Sequence, residues 1–237
     1  MTAASPTSAM PSRAVRSLGQ SSAAVFRSLR TLLAPLECPR VVVDVGCGTG
    51  DLYRHVRRIT AATYIGVDGV RYESFPAGDA IGRVLSDLDA LHLPLQAGCA
   101  DWVLAVETIE HLENPRAFCR EMTRVVRPGG WLVLTTPNQL SLASKLHLLL
   151  FQEFLAFQEA PGLYPTHLTA LLESDLRRLA RECGWVDVQV AYSGEGRVPG
   201  TGRHYPAWCS RWLPRACSDN ILLIARRPLH DMEAAAS

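Results

Sequence analysis

The chain has no C-x-x-C pair. Its seven cysteines, at 38, 47, 99, 119, 183, 209 and 217, form an odd and scattered set. That pattern excludes a disulfide framework and a zinc knuckle, and it points to a reducing, cytoplasmic compartment. No apolar run approaches the ~20 residues that a bilayer-spanning helix needs. No segment repeats at the spacing of a solenoid. An excess of charge of either sign is also missing: 24 basic residues against 23 acidic ones leave a net charge of +1. No global field therefore recruits nucleic acid, and only a local patch could do so. Acidic residues are absent before Glu37, whereas Arg13, Arg16, Arg27 and Arg30 precede it. That is the composition of a transit peptide. However, Val15, Leu18, Val25, Leu29 and Leu32 stand near helical spacing, which predicts an N-terminal helix over 13–36 covering the sheet edge or a ligand pocket. Residues 1–12 and 228–237 read as tails.

What is present suffices for a packed core. Of 237 residues, 48% are hydrophobic and 20% charged, which suits one α/β domain with a modest insertion, here 37–227. Short apolar runs predict strands at 41–45, 64–67, 83–86, 102–106, 131–135, 185–192 and 219–226, with helices at about 50–58, 115–126 and 169–183. Asn114 caps the second of these helices, Pro115 suits its first turn, and RPGG at 127–130 stops it; Gly184 ends the third. The connection from Gly69 to Gly82 carries Pro76 and Gly78, so it holds at most a turn or two of helix. Strands alternating with helical crossovers give a mostly parallel sheet with helices on both faces. Residues 140–158 read as one helix with a broad apolar face. With Lys145 as its one lysine or arginine it is a poor match to an anionic membrane surface, so a packed cap is the preferred reading. Residues 193–218, rich in Gly, Pro, Arg and Trp, are too long for an idle loop.

The most specific stretch is VVVDVGCGTGDLYRHV at 41–56. A β-branched run leads into Asp44, then glycines at 46, 48 and 50, then a potential helix. Such a turn lets backbone approach a ligand without Cβ interference, and the helix start offers unpaired N–H groups. A dinucleotide fingerprint would want glycine where Asp51 stands. Downstream follow GVD ending at Asp68, DLDA–LPL from Asp87, an acid opening the fourth strand, EHLENP at 110–115, RPGG, and a strand ending TTPN at 135–138. This succession resembles the class I S-adenosylmethionine-dependent methyltransferases of the ubiquinone-biosynthesis O-methyltransferase-like group, closely over about 38–137 and in topology alone beyond.

The resemblance implies a Rossmann-like seven-stranded sheet with strand 7 antiparallel, and S-adenosylmethionine as cofactor. Main chain at Gly46, Cys47 and Gly48 would line its amino-acid end, with Asp44 orienting the turn or the ammonium. Asp68 would accept from the ribose hydroxyls, as carboxylates do in dinucleotide sites. Asp87 with Leu88 would hold the adenine; Asp89 is the competing register. Glu107 would face the methyl group. The E-x-x-E-H spacing of Glu107, Glu110 and His111 resembles the divalent-metal site of ubiquinone-pathway and small-RNA 2′-O-methyltransferases, completed there by a later histidine, for which His147 and His167 are available. Without metal, His111 or His167 is the general base. The insertion 138–168 and the excursion 193–218 would roof the pocket with Tyr164, His167, Tyr192, His204, Tyr205, Trp208 and Trp212. The expected reaction is O-methylation of a small molecule; the alternative is a metal-dependent RNA or other macromolecule 2′-O-methyltransferase, and nucleic acid is disfavoured by the charge balance.

Overall fold

The computed structural model describes residues 23–90, 92–160, 163 and 166–229. The 1–12 tail, most of the 228–237 tail, residues 13–22 of the expected N-terminal helix, and Tyr164 lie outside the described residues.

Seven strands make one sheet: β1 (Val41–Val45), β2 (Thr63–Asp68), β3 (Ile81–Leu85), β4 (Ala100–Val106), β5 (Val126–Pro137), β6 (Val186–Tyr192) and β7 (Asn220–Arg226). Their order is β3-β2-β1-β4-β5-β7-β6. All neighbouring pairs from β3 to β5 run parallel, and β7 is antiparallel to both its neighbours. The chain winds outward from β1 to β3 and then returns to β4. The crevice between β1 and β4, at the carboxyl ends of the strands, is therefore where such a sheet takes a ligand.

The period-2 pattern sends alternate residues to the two faces. Val103, Ala105, Leu132, Leu134 and Leu223 pack in one core with α3 (Pro115–Val125) and α5 (Glu173–Glu182); Trp102, Leu104, Val133 and Leu222 pack in the other with α1 (Ala23–Leu33) and α2 (Asp51–Val56). The Asn114 carboxamide oxygen accepts from Ala117 N–H at 3.0 Å, giving α3 its cap, and Gly184 ends α5 at φ 69°.

Several boundaries move, each for a tertiary reason. β3 begins at Ile81 rather than Arg83, because Ile81 and Gly82 pair with Tyr64 and Ile65. β5 takes in the RPGG segment, absorbed by an irregularity opposite Ala100 and Trp102. α5 starts at Glu173 instead of Thr169, since Leu168 and Thr169 N–H both donate to the Glu110 carbonyl, at 2.8 and 3.0 Å. Between β2 and β3 there is no helix. Phe75 instead packs where Gly66 has no side chain, and Pro76 sits on Gly50: a Cβ at those glycines would fall 2.5 and 2.3 Å from them.

The expected single helix over 140–158 is corrected. α4 (Leu142–Phe151) stops where Gln152 turns left-handed at φ 63°, and a 3₁₀ turn follows at Leu155–Phe157. Nor is α4 a packed cap. Only Ala143 and Ser144 are buried, while Leu149, Leu150 and Phe151 stand 78%, 70% and 64% exposed. Periodicity shows that a helix has an apolar side; it does not show that anything covers it. Among the described residues no helix is long and apolar enough to cross a membrane.

Candidate active site

The turn after β1 is held by main chain. Gly46 and Cys47 N–H donate to the Val67 carbonyl at 2.8 and 3.2 Å, and Gly50 N–H to the Cys47 carbonyl at 2.8 Å. Gly46, Gly48 and Gly50 all have positive φ, at 81°, 49° and 81°, a region that side chains disfavour. A Cβ on Gly46 would lie 2.2 Å from Thr108 Oγ1. The turn therefore lies directly against the segment after β4, which local pattern alone does not reveal. It is a cradle that a Cβ would fill.

Asp68, at the end of β2, is buried and accepts from Gly48 N–H at 2.8 Å and Val70 N–H at 3.0 Å. Burial raises its pKa against those hydrogen bonds. With Gly69 N–H as a third main-chain donor, the carboxylate still has lone-pair capacity for a ligand hydroxyl. Asp44 lies one layer beneath: its carboxylate is buried and takes a hydrogen bond from the Tyr64 hydroxyl of β2. Burial pushes its pKa up to about 7, opposed by the Tyr64 hydrogen bond and helped by the nearby Asp68 charge. Asp44, expected to orient the turn or an ammonium, has the Tyr64 hydroxyl of β2 as a hydrogen-bond partner. In the D-L-D stretch, Asp89 accepts from Glu113 and Asn114 N–H at 2.8 and 3.4 Å, tying the loop to the start of α3, whereas Asp87 is exposed.

Asp44 yields a pH prediction. An unfolded aspartate ionises near 4, and folded Asp44 near 7. Folding favours its protonated form, so its contribution is full below pH ~4 and is lost as pH rises through 7. Between pH 5 and pH 8 the loss comes to about 2–3 kcal/mol. His167 works in the opposite sense, depressed from 6.5 to about 4, with stability present above 6.5 and lost on acidification. Comparing Asp44→Asn with wild type isolates the aspartate: in chemical denaturation the variant should gain on wild type as pH rises, and parallel pH curves would refute the assignment.

Beyond β4 the chain enters Glu107 at φ 49°, a strained angle for a side-chain-bearing residue. Glu107 N–H donates to the Thr135 hydroxyl at 2.9 Å, and its Oε1 accepts from Asn220 Nδ2 at 2.6 Å. A 3₁₀ turn, Ile109–His111, follows. Residues 166–169 zip against it: besides the two bonds to Glu110, His111 Nδ1 meets the Thr166 carbonyl at 2.9 Å and Thr169 Oγ1 donates to the Leu112 carbonyl at 2.7 Å. The result brings Glu110, His111 and His167 together, with their ligating atoms within 4.8 Å of one another. His147 is elsewhere, bonded through Nδ1 to the Glu153 carbonyl at 3.0 Å.

Glu110 is fully buried and neither carboxylate oxygen has a hydrogen-bond partner. Burial and the Glu107 charge hold its pKa well above the usual range, with the nearby Thr136 hydroxyl only partly offsetting them. Burial lowers the pKa of His111, while the carbonyls of Thr166 and Glu107 favour its protonated ring. His167 donates Nδ1–H to the Ala156 carbonyl at 2.6 Å, so Nε2 carries the lone pair; burial and the adjacent His111 lower it to about 4.

The three ligating atoms lie within 4.8 Å of one another, whereas two ligands bound to zinc at about 2.1 Å lie no more than about 4.2 Å apart. Burial and the Glu107 charge raise the Glu110 pKa, the Thr166 carbonyl engages His111 Nδ1, and Glu107, the fourth expected ligand, has its Oε1 bonded to Asn220.

Glu107, His167, Asn220 and residues of the 138–158 and 197–204 stretches line a cavity of about 490 Å³. Both expected roofing segments contribute. Among the described aromatics and imidazoles anticipated there, only His167 and His204 line it. Tyr192 is turned to Glu173 at 2.6 Å, and Trp208 and Trp212 lie on the surface because α6 (Ala207–Trp212) rests on the body through its other side. Of the arginines expected to give the excursion its basic character, Arg197 is paired with Asp219 at 3.0 Å and Arg215 with Glu173 at 2.6 Å.

The sequence profile of the methyltransferase-domain family matches residues 18–190. The chain belongs to the class I S-adenosylmethionine-dependent methyltransferases. It is 38% identical over 100 residues to the methyltransferase GfsG of Streptomyces halstedii, covering 39% of this chain and 36% of that protein. It is 32% identical over 109 residues to the mitochondrial ubiquinone biosynthesis O-methyltransferase of Arabidopsis thaliana, covering 41% of this chain and 32% of that one. The chain thus spans about a third of the length of these curated relatives. A SAM-dependent methyltransferase from Archaeoglobus fulgidus shares the fold, with TM-score 0.64 at 20% identity over 89% of this chain and 96% of that one. Within this methyltransferase fold, Thr108 and Asn220 are the site residues that sequence reasoning missed. The only available signal was position: Thr108 follows Glu107, and Asn220 opens β7.

Proposed function

We propose that this methyltransferase-family chain transfers a methyl group from S-adenosylmethionine to a hydroxyl of a small molecule, leaving S-adenosylhomocysteine. The observation that carries this reading is that two features meet at the carboxyl ends of the strands: a glycine cradle with a buried carboxylate at Asp68, whose Gly46 lies against Thr108, and a cavity walled by Glu107, the residue before Thr108, and by a neutral imidazole at His167. When bound, S-adenosylmethionine supplies a methyl group already activated on a sulfonium. The chain then has to hold it, align the acceptor, exclude water and take a proton.

Main chain at Gly46, Cys47 and Gly48 would receive the amino-acid end, Asp68 the ribose, and Asp87 with the Leu88 amide the adenine. Asp87 is preferred over Asp89 for that last role because it is the more exposed of the two, while Asp89 Oδ1 already accepts from Glu113 and Asn114 N–H. The Glu107–Asn220 pair fixes the cavity wall nearest the turn. His167 Nε2 takes the proton from the acceptor hydroxyl. A hydroxyl must give up its proton as the new O–C bond forms, and the neutral imidazole of His167 is the group placed to take it. No metal step is included, given the donor geometry above.

A calorimetric titration tests the core of the reading. Heat is expected with S-adenosylhomocysteine and none with NAD; the reverse would sink it. A screen of phenol, catechol, sugar and carboxylate acceptors with labelled methyl donor then identifies the substrate.

A further inference from the structure

We propose that the face formed by α4 and α6 docks on the surface of an anionic phospholipid bilayer. The outward stripe of α4 is apolar: Leu142, Leu146, Leu149 and Leu150 recur at helical spacing and all are exposed. On α6, Trp208 and Trp212, one turn apart, are 67% and 80% exposed, and Leu213 follows them at 62%. The two helices share this surface, because α4 begins beside the turn after α6: Leu142 N–H donates to the Ala216 carbonyl at 2.8 Å. An apolar stretch of this size, left open on two neighbouring helices, marks an interaction site rather than scattered surface leucines.

Charge selects the occupant. No acidic residue occurs between Asn138 and Gln152 or between Gly196 and Ser218. Lys145, Arg203 and Arg211 are exposed and have no ion pair among the described residues, whereas Arg197 and Arg215 are neutralised by Asp219 and Glu173. The surface is therefore apolar with uncompensated cations at its edge and two tryptophans. Indole rings settle at the headgroup level, and cations beside them attract anionic lipid. A second copy fits less well, since a two-fold contact would set these cations against themselves with no acid in either segment to pair them. Residues 1–22 fit no better, because they carry Arg13 and Arg16 and no acid. The inner side of α4, through Ser144, lines the cavity, so the docked helix is shared between membrane face and cavity wall. The inference stands independently of methyl transfer.

Vesicle flotation tests it with the full chain. Wild type should float with vesicles of equal parts phosphatidylcholine and phosphatidylglycerol, and much less with phosphatidylcholine alone or at high salt. Leu149→Glu combined with Trp212→Glu should abolish flotation while S-adenosylhomocysteine affinity is retained, which shows that the fold survives. Arg203→Glu with Arg211→Glu should weaken binding to the anionic vesicles by about fivefold or more for each cation removed. A wild type that stays with neither vesicle, or flotation indifferent to the Leu149 and Trp212 changes, would overturn the proposal. So would a concentration-dependent dimer, dissolved by Trp212→Glu, in a protein that ignores vesicles; that result assigns the face to a second copy.

Discussion

His167→Ala is expected to lower kcat by about 10²–10⁴-fold, the usual contribution of a positioned proton acceptor, with S-adenosylhomocysteine affinity unchanged. The expectation rests on how the ring is held. Its Nδ1–H is committed to the Ala156 carbonyl at 2.6 Å, which fixes the tautomer and leaves Nε2 as acceptor. Its face packs near Phe157 and its neighbour is His111, with ring centroids 5.5 and 4.8 Å away. Burial and His111 lower its pKa to about 4, so the ring is neutral at pH 7. The acid limb of kcat/KM should therefore fall near pH 4 and not near the ordinary histidine value of about 6.5. Free imidazole added to the alanine variant should restore part of the rate, which a structural role would not allow. Activity should also persist after metal stripping in EDTA. If stripping abolishes activity and one divalent cation restores it, Glu110, His111 and His167 are ligands and the base assignment fails. An unchanged kcat in His167→Ala would overturn the assignment of His167 as the base.

Gly46→Ala is expected to cost about 3 kcal/mol or more in stability and to weaken S-adenosylhomocysteine binding at least tenfold. Two independent effects add. Residue 46 has φ 81°, where alanine is strained. Its Cβ would also meet Thr108 Oγ1 at 2.2 Å and Cγ2 at 2.5 Å. Thr108 cannot move aside cheaply, since its hydroxyl is bonded to the carbonyls of Val45 and Val106, both at 3.2 Å. Adding Thr108→Ala should recover the part of the loss due to the clash and leave the backbone strain. Thermal melts and titrations of the single and double variants separate the two. Wild-type melting and affinity in Gly46→Ala would show that the turn is not the cradle described here.

Both variants probe contacts at different depths in the sequence. The glycine turn is a local matter: positive φ selects glycine wherever the chain must turn that tightly, so its role is readable from residues 46–50 alone. The same holds for the Asn114 cap and for the alternation that sends Trp102 and Leu104 to one core and Val103 and Ala105 to the other. The family resemblance carried the seven-stranded, mostly parallel sheet and the antiparallel β7, and the sheet agrees with it.

Other features depend on chain segments far apart in sequence. Asp87 and Asp89 are equivalent in pattern until Asp89 meets the amides of Glu113 and Asn114. Glu107 reads as a metal ligand until Asn220, 113 residues on, bonds its carboxylate. The apolar helix at 142–151 reads as a cap until the body of the protein turns out to cover only Ala143 and Ser144.

The sequence by itself determined most of the strands, the helix at 115–125 with its cap, the two-faced mostly parallel sheet and the glycine turn after β1, because each depends on residues within a few positions of one another: steric limits on φ, side-chain period and capping. Only the tertiary structure decided which acids are already satisfied, that His167 joins Glu110 and His111 beside the cavity, and that α4 leaves its leucines open. Those outcomes depend on distance and burial between segments 20 to 170 residues apart, which no local pattern encodes.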